Sequence, residues 1–269
     1  MPELLEVRGL RKVFRGRRGH ADVVAVEGAS FDLSAGESLA IVGESGSGKS
    51  TIARLLVGLE TSTGGTISVL GRPRGAKSPR TRERRVRARE VQIVFQDPYS
   101  SLDRLEPVGH VLESALGLNP SVSPASRRER AVELLEAVGL QARHAEVLPR
   151  ALSGGQRQRV AIARAIAVEP RILILDEAVS ALDVSIQAQI LNLLADIRER
   201  SDIAYLFISH DLAVVNQISD RCLVMESGRV VEQGRTRDVL SSPTQPYTRA
   251  LRDAVPRAGW QPSRSLNLD

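Results

Sequence analysis

Short apolar runs, each stopping abruptly at a polar or glycine-rich turn, set the rhythm of this chain. Leu39-Ala40-Ile41-Val42 gives way to Gly43, and Val91-Gln92-Ile93-Val94-Phe95 to Gln96. Ile172-Leu173-Ile174-Leu175 runs into Asp176 and Glu177, and Ala204-Tyr205-Leu206-Phe207-Ile208 into Ser209 and His210. Near-continuous apolar runs of this length predict strands of a parallel sheet covered on both faces. Such sheets take ligands beyond the carboxyl ends of their strands, so four segments distant in sequence are expected to deliver polar side chains to one rim.

Helical spacing lies between these runs. Ile52, Leu55, Leu56 and Leu59 make one apolar face with Gly58 near its stop, and Ala131, Leu134, Leu135 and Val138 make another, closed by Gly139. From about Asp97 to Leu152 no strand pattern is evident, which predicts a helical insertion between two strands of the sheet. Residues 4–7, 23–26, 30–33 and 65–70 predict β structure outside the parallel core. Residues 222–232 do the same, folded at Ser227-Gly228 like a two-residue hairpin. Past Ser241 the prolines at 243, 246, 256 and 262 predict a loosely ordered tail. No period of 20–50 residues repeats, which argues against a solenoid or propeller.

With 269 residues, 42% hydrophobic and 26% charged, the chain can bury a sizeable core, either one large α/β domain or a core with an inserted subdomain. The single cysteine, Cys222, excludes an internal disulfide and any cysteine-only metal or iron–sulfur site, and fits a reducing cytoplasm. The apolar stretches 172–175 and 203–208 fall far short of the roughly 18–20 residues that cross a bilayer. Glu3 and Glu6 interrupt the first ten residues, so no secretory signal is expected there. Formal net charge is +5, and residues 72–89 hold nine basic residues against Glu83. A run of this kind could meet nucleic acid or an anionic membrane, but none of the eight aromatic residues lies within it to stack a base. A solvated helix face is the better expectation, and nucleic acid is disfavoured as a partner.

Gly43-Glu44-Ser45-Gly46-Ser47-Gly48-Lys49-Ser50 satisfies the pattern GxxxxGK[ST], placed after an apolar strand and before an amphipathic helix. Glycines let the backbone wrap a phosphate chain with its N–H groups pointing inward, and the helix adds the positive end of its dipole. Lys49 is expected at the β and γ phosphates, Ser50 at Mg²⁺, and Thr51 beside them in the same ATP site. A glycine-rich turn with a surface lysine would need none of this context. Asp176 ends an apolar strand where it could hold the ion, and Glu177 beside it is the candidate general base. The pair could equally cap a helix over residues 178–183. His210, at another strand's carboxyl end, is the third rim candidate.

Leu152-Ser153-Gly154-Gly155-Gln156-Arg157-Gln158-Arg159 resembles the signature of ABC-type ATPases. From the residues themselves, Ser153 can cap a helix running through Val160, Ala163, Ile166 and Ala167, with glycines leaving its start bare. The order of motifs matches that family from about residue 4 to 256. It comprises the P-loop, Gln96, the signature, Leu173-Ile174-Leu175-Asp176-Glu177, Ser180-Ala181-Leu182-Asp183 and His210.

The resemblance implies an α/β fold: a P-loop NTPase core with a mainly parallel sheet, an N-terminal antiparallel β subdomain and an inserted helical subdomain. It implies one ATPase domain over residues 1–256, with helical residues about 97–165, and a C-terminal tail at 241–269. It also implies head-to-tail pairing with a second ABC ATPase subunit, identical or paralogous, so that Ser153, Gly154, Gly155 and Gln156 touch the partner's ATP. By the same resemblance Gln96 meets Mg²⁺ and water and links to membrane subunits, and His210 reads the γ-phosphate. Asp183 would communicate across the dimer, and Phe14 would stack on adenine, although the basic stretch 15–20 alters the spacing.

Val94-Phe95-Gln96-Asp97-Pro98-Tyr99-Ser100-Ser101-Leu102 is similar to the oligopeptide and dipeptide importer branch, which includes nickel importers. So are residues 181–191 and Gln245-Pro246-Tyr247-Thr248-Arg249-Ala250-Leu251. That branch implies a peripheral subunit on the cytoplasmic face of a bacterial membrane, working with two transmembrane permease subunits and an extracytoplasmic solute-binding protein. Three positions depart from its pattern: Ala178-Val179 stands where Pro-Thr is usual, Gln245 where His is common, and one cysteine excludes a cysteine-rich tail. A low-turnover nucleotide-gated module paired with an active paralogue stays open, but Glu177, His210 and the unbroken signature argue against it. About 100 residues between Lys49 and Ser153 leave no room for the long coiled coils of DNA-repair relatives, and no fused membrane span supports an exporter.

Overall fold

The computed structural model describes residues 3–16, 21–74, 81–97, 102–180 and 182–254. Its centre is a six-stranded sheet built from β3 (Ser38–Val42), β6 (Val91–Val94), β7 (Ile172–Asp176), β8 (Ala204–Ser209), β9 (Arg221–Glu226) and β10 (Arg229–Arg235). The order is β10-β9-β3-β8-β7-β6, with every neighbouring pair parallel except β9 and β10. A second, antiparallel sheet orders β1 (Glu3–Phe14), β2 (Val23–Ser34), β4 (Gly64–Val69) and β5 (Arg72–Pro73) as β2-β1-β4-β5.

The continuous apolar runs are explained by which side each residue faces. Leu39, Ile41, Ile172, Ile174, Leu206 and Ile208 enter one core, shared with the antiparallel sheet and helix α1 (Lys49–Leu56). Their alternates Ala40, Val42, Leu173, Leu175, Tyr205 and Phe207 enter a second core. That core is built from α3 (Val108–Leu116), α4 (Arg127–Ala137), α5 (Gly154–Ile166), α6 (Val184–Arg200) and α7 (Leu212–Ile218). Side chains alternate across a strand, so a strand covered on both faces has no position left for a polar residue. Tyr205 is the one polar-tipped member of these six, and its hydroxyl donates to Leu194 O at 2.9 Å, which satisfies it. Between β6 and β7 the described residues form α3, α4, α5 and three short 3₁₀ turns, with no strand.

Several expectations are corrected. Residues 23–26 and 30–33 are one strand, β2, because a register shift between the Leu10–Ala29 and Lys12–Val26 pairs is absorbed at Gly28, whose φ is +74°. The hairpin at Ser227-Gly228 forms, but β9 pairs in parallel with β3 and so belongs to the central sheet. Phe95 lies past the end of β6, and Leu59 lies past the end of α1 and is 55% exposed. The segment after Ser241 carries a helix, α9 (Pro246–Asp253), following α8 (Thr236–Ser241). Tyr247 and Leu251 pack on the second core, which is what orders it.

Part of the basic run is neutralised locally. Arg72 and Arg74 both pair with Glu90 at the end of α2 (Thr81–Glu90), and Arg87 pairs with Glu83. Residues 75–80 of that run, residues 17–20 of the N-terminal basic stretch, Pro98, Tyr99, Ser100, Ser101, Ala181 and the tail from 255 onward lie outside the described residues. No helix among the described residues is long and apolar enough to cross a membrane.

Leu206 is fully buried in the first core. Leu206→Ala is expected to lower the unfolding free energy by about 3 kcal/mol, read from the shift of a urea transition at constant slope.

Candidate functional site

The carboxyl ends of four strands meet in register at one rim. Val42 of β3 lies beside Ser209 of β8, Asp176 of β7 beside Ile208, and Val94 of β6 beside Leu175. The P-loop leaves β3 and turns through Gly43, Gly46 and Gly48, at φ +149°, +84° and +103°. Two of these glycines are required by close approach. A Cβ on Gly43 would sit 2.2 Å from Met225 O, and one on Gly48 would sit 2.2 Å from Ala25 O. The β9–β10 turn completes the clamp, with Gly228 N donating to Ser47 O at 3.0 Å and Glu27 N donating to Gly228 O at 2.8 Å. Glu44, Ser45 and Gly46 are exposed at the crest, whereas Ser47 is buried and Thr51 is half-buried in the first turn of α1. Gly48 caps α1 with no side-chain acceptor, so the leading N–H groups and the positive end of the helix dipole face the loop.

Lys49 is 4% exposed, and its Nζ donates to Gly43 O at 2.7 Å and Glu44 O at 2.6 Å. Burial lowers its pKa, while the negative charges of Glu177, Asp176 and Glu44 pull it back up. Ser50 Oγ donates to Asp176 Oδ1 at 2.8 Å. Burial raises the Asp176 pKa, the Ser50 hydrogen bond lowers it, and the neighbouring Glu177 charge raises it again. A hydroxyl and a carboxylate oxygen form a hard donor set suited to Mg²⁺. Among the described residues no group of three His, Cys, Asp or Glu could hold a metal, so a cation here would take the rest of its shell from water or from a ligand's oxygens.

Glu177 has φ +50°, a left-handed backbone that a non-glycine residue adopts at a cost of about 1 kcal/mol or more. Its N–H donates to Ile208 O at 2.9 Å, which ties the strained residue to β8. Its carboxylate lies 3.4 Å from His210 Nδ1, and His210 is 55% exposed. The chain after Glu177 is a turn, with Ser180 Oγ and N both donating to Glu177 O at 2.9 and 3.1 Å. Among the described residues no helix opens at Asp176, since 177–180 form a turn, so the helix-cap reading of the Asp-Glu pair is set aside. Gln96 is exposed, with Nε2 3.5 Å from Ser180 Oγ. Thus Gln96, Ser180, Glu177 and His210 form one polar string along the rim.

Ser153 caps α5, accepting from Gln156 N at 3.2 Å, while Gln156 Oε1 accepts from Ser153 N at 2.9 Å. Gly154 is exposed, but Gly155 is buried: a Cβ there would lie 2.6 Å from Ile186 Cγ2 of α6. Gly155 therefore lets α5 and α6 touch, a packing reason beyond the bare helix start expected for it. Asp183 caps α6 by accepting from Ile186 N at 2.9 Å, and that bond, with one from Ser185, holds its carboxyl below the usual range. Phe14, 39% exposed with the Lys12 ammonium 4.6 Å over its ring, pairs with Val23, two residues before the Ala25 carbonyl that abuts Gly48.

Two sets of groups carried no sequence signal. One is the backbone of Ala25, Met225 and Gly228, since a clamp of main-chain atoms has no side-chain signature. The other is the contact of Tyr247, a residue the sequence marked only as part of a family-like tail, whose hydroxyl accepts from Glu44 N at 3.1 Å. A groove of about 990 Å³ between α4, α5 and α6 is lined by Arg159, Gln189, Asp196 and others, but by no P-loop residue.

The chain is similar to known proteins along most of its length. A family profile described as ABC transporter matches residues 26–180. The chain is 44% identical over 258 residues to a dipeptide transport ATP-binding protein of Escherichia coli K12, covering 94% of this chain and 77% of that protein. It is 48% identical over 266 residues to a glutathione import ATP-binding protein of the same organism, covering 97% of this chain and 42% of that longer protein. Among solved structures, a dimeric ATP-binding cassette in a post-hydrolysis state bound to ADP and Pi superposes with a TM-score of 0.76 at 28% identity. That match covers 87% of this chain and 99% of the other.

The close approach at Gly48 can be separated from backbone strain alone. Gly46 has a positive φ but nothing within 4 Å of its Cβ position, so Gly46→Ala is expected to cost about 1 kcal/mol. Gly48→Ala adds the collision with Ala25 O and is expected to cost at least about 2 kcal/mol, both read by urea denaturation.

Proposed function

Because the chain belongs to the ABC transporter family, we propose that it is the ATP-binding, ATP-hydrolysing subunit of a bacterial importer of small peptides. One observation carries this reading: Ser50 joined to Asp176 beneath a P-loop lysine, with Glu177 and His210 at the same rim. The peptide class rests on relatives named for dipeptide transport and for import of glutathione, itself a short peptide. Nickel or another small solute is the alternative cargo.

ATP is the substrate. The loop Gly43–Thr51 offers its N–H groups, apart from those of Glu44 and Ser47 that donate to Tyr247 Oη and Glu44 O, and with the Lys49 ammonium takes the β and γ phosphates, while Phe14 takes the adenine face. Ser50, Asp176 and Gln96 would hold Mg²⁺, which when bound neutralises charge on the β and γ oxygens. Glu177 orients the attacking water and accepts its proton as oxygen bonds to the γ phosphorus and the bond to ADP breaks, leaving its electron pair on the ADP oxygen. His210, 3.4 Å from the Glu177 carboxylate, contacts the γ-phosphate, so the string reports whether that phosphate is present.

Ser153 accepts one bond in its capping box yet retains its own O–H, a donor for a phosphate of a second subunit. Gly154, Gly155 and Gln156 flank that donor in the head-to-tail pair. We take residues 1–256 as the cassette, residues about 97–165 as its helical subdomain, and 241–269 as a C-terminal segment. The string from Gln96 through Ser180 would link hydrolysis to two permease subunits at the cytoplasmic face of the membrane. A solute-binding protein delivers cargo on the other side. ATP buried between two subunits favours the closed pair, and hydrolysis followed by phosphate loss releases it.

Lys49→Ala is expected to weaken ATP binding at least tenfold by calorimetry; wild-type affinity would refute the P-loop assignment. Glu177→Gln should keep ATP affinity but lower turnover at least about 100-fold, with a nucleotide-bound dimer accumulating on gel filtration. Undiminished phosphate release by that variant would remove Glu177 from its role.

A further inference from the structure

The C-terminal segment plays no part in the chemistry above, yet it touches the P-loop. We propose that Tyr247 is a positioning residue of the nucleotide site, through which helix α9 holds the first peptide unit of the P-loop and so sets the affinity for ATP. This rests on reading the loop as the ATP site.

The geometry is specific to one peptide group. The bond joining Gly43 to Glu44 carries the Gly43 carbonyl, which accepts from Lys49 Nζ at 2.7 Å, and the Glu44 N–H, which donates to Tyr247 Oη at 3.1 Å. A planar peptide pinned at both ends cannot tilt without breaking one of the two bonds. Tyr247 thus fixes the orientation of the carbonyl that locates the Lys49 ammonium. Glu44 is exposed at the crest, where an amide would otherwise exchange freely with water, and Gly43 beside it has a φ of +149°, open to a glycine but to few other residues.

Tyr247 is itself held. Glu232 of β10 accepts from Thr244 N and Oγ1 at 2.7 and 2.8 Å and from Gln245 N at 3.2 Å, anchoring the turn that starts α9. Arg252 Nη1 donates to Ser241 O at 3.3 Å near the helix's other end, and Thr248 is buried beneath it. The ring of Tyr247 packs on the second core beside Leu251. A contact between residues 203 apart in sequence is therefore carried by a short helix fastened at both ends. Coupling of this kind is reciprocal: if α9 raises ATP affinity, ATP must strengthen the docking of α9.

The test separates the hydroxyl from the ring. In the full-length chain, Tyr247→Phe keeps the packing and removes the acceptor, and Tyr247→Ala removes both. The unaltered chain and both variants are titrated calorimetrically with a nonhydrolysable ATP analogue and Mg²⁺. Loss of one hydrogen bond is expected to weaken binding by about three- to tenfold in Tyr247→Phe. The KM for ATP should rise by a similar factor, with kcat within about twofold and the urea midpoint of the analogue-free chain lowered only slightly, by no more than the loss of one exposed hydrogen bond. Amide exchange over residues 246–253 should slow when the analogue binds the unaltered chain, and slow less in Tyr247→Phe. If Tyr247→Phe binds like the unaltered chain while Tyr247→Ala does not, packing is the whole role and the proposal falls. Tighter binding by Tyr247→Phe would also overturn it. Wild-type affinity in Tyr247→Phe beside loss in Lys49→Ala overturns this inference alone, whereas no ATP binding by the unaltered chain overturns both readings.

Discussion

Everything at the rim depends on how closely three stretches of main chain approach the P-loop. Ala25 O and Met225 O stand where Cβ atoms of Gly48 and Gly43 would be, and the Gly228 amide holds Ser47 O. A glycine-rich loop free in solution would sample many shapes, and fixing each residue costs roughly 1–2 kcal/mol of conformational entropy. Here β2 and the β9–β10 turn meet that cost as part of folding and hold the loop in one shape. The antiparallel sheet is therefore part of what shapes the P-loop although it supplies no side chain to it.

Burial gives the site its electrostatic character. Lys49 and Asp176 lose hydration together, and each partly compensates the other's loss of solvent. A carboxyl whose folded pKa is raised binds its proton more tightly folded than unfolded. Its ionisation therefore opposes folding as pH rises from the unfolded value through the folded one. Ser50 offsets part of that cost with a hydrogen bond to the charged form, and a cation arriving with phosphate would offset more. Strain is stored beside this pair, at the left-handed Glu177, tied to β8 through Ile208. A polar site of this kind lowers stability locally and relies on the two apolar cores to hold the rim in register.

Two helix starts that read alike in sequence behave differently. Gly48 leaves the first N–H groups of α1 without a side-chain acceptor, whereas Ser153 and Gln156 satisfy each other at α5. The first therefore leaves its N–H groups open to an anion, whereas the second has its leading groups largely satisfied by its own side chains. The docked helix α9 adds a further grip on the first element, from the far end of the chain.

Much of this was legible from local pattern. Four apolar runs ending at polar residues correspond to β3, β6, β7 and β8, and the rim residues Gly43, Gln96, Asp176, Glu177 and His210 follow from strand ends alone, because a strand's period and its stop are properties of neighbouring residues. Pairing is not. That β9 lies beside β3, that β2 runs unbroken through Gly28, and that Gly155 serves contact with Ile186 depend on segments tens to hundreds of residues away. Proline spacing after Ser241 suggested a loose tail, but the apolar contacts of Tyr247 and Leu251 overrode it and brought a phenol to the P-loop. The sequence by itself determined where each strand would stop and which polar side chains would stand at the shared rim. The tertiary structure alone decided which backbones would press against that loop and how its first peptide would be held, since close approach and hydrogen bonding between distant segments exist only after the chain has packed.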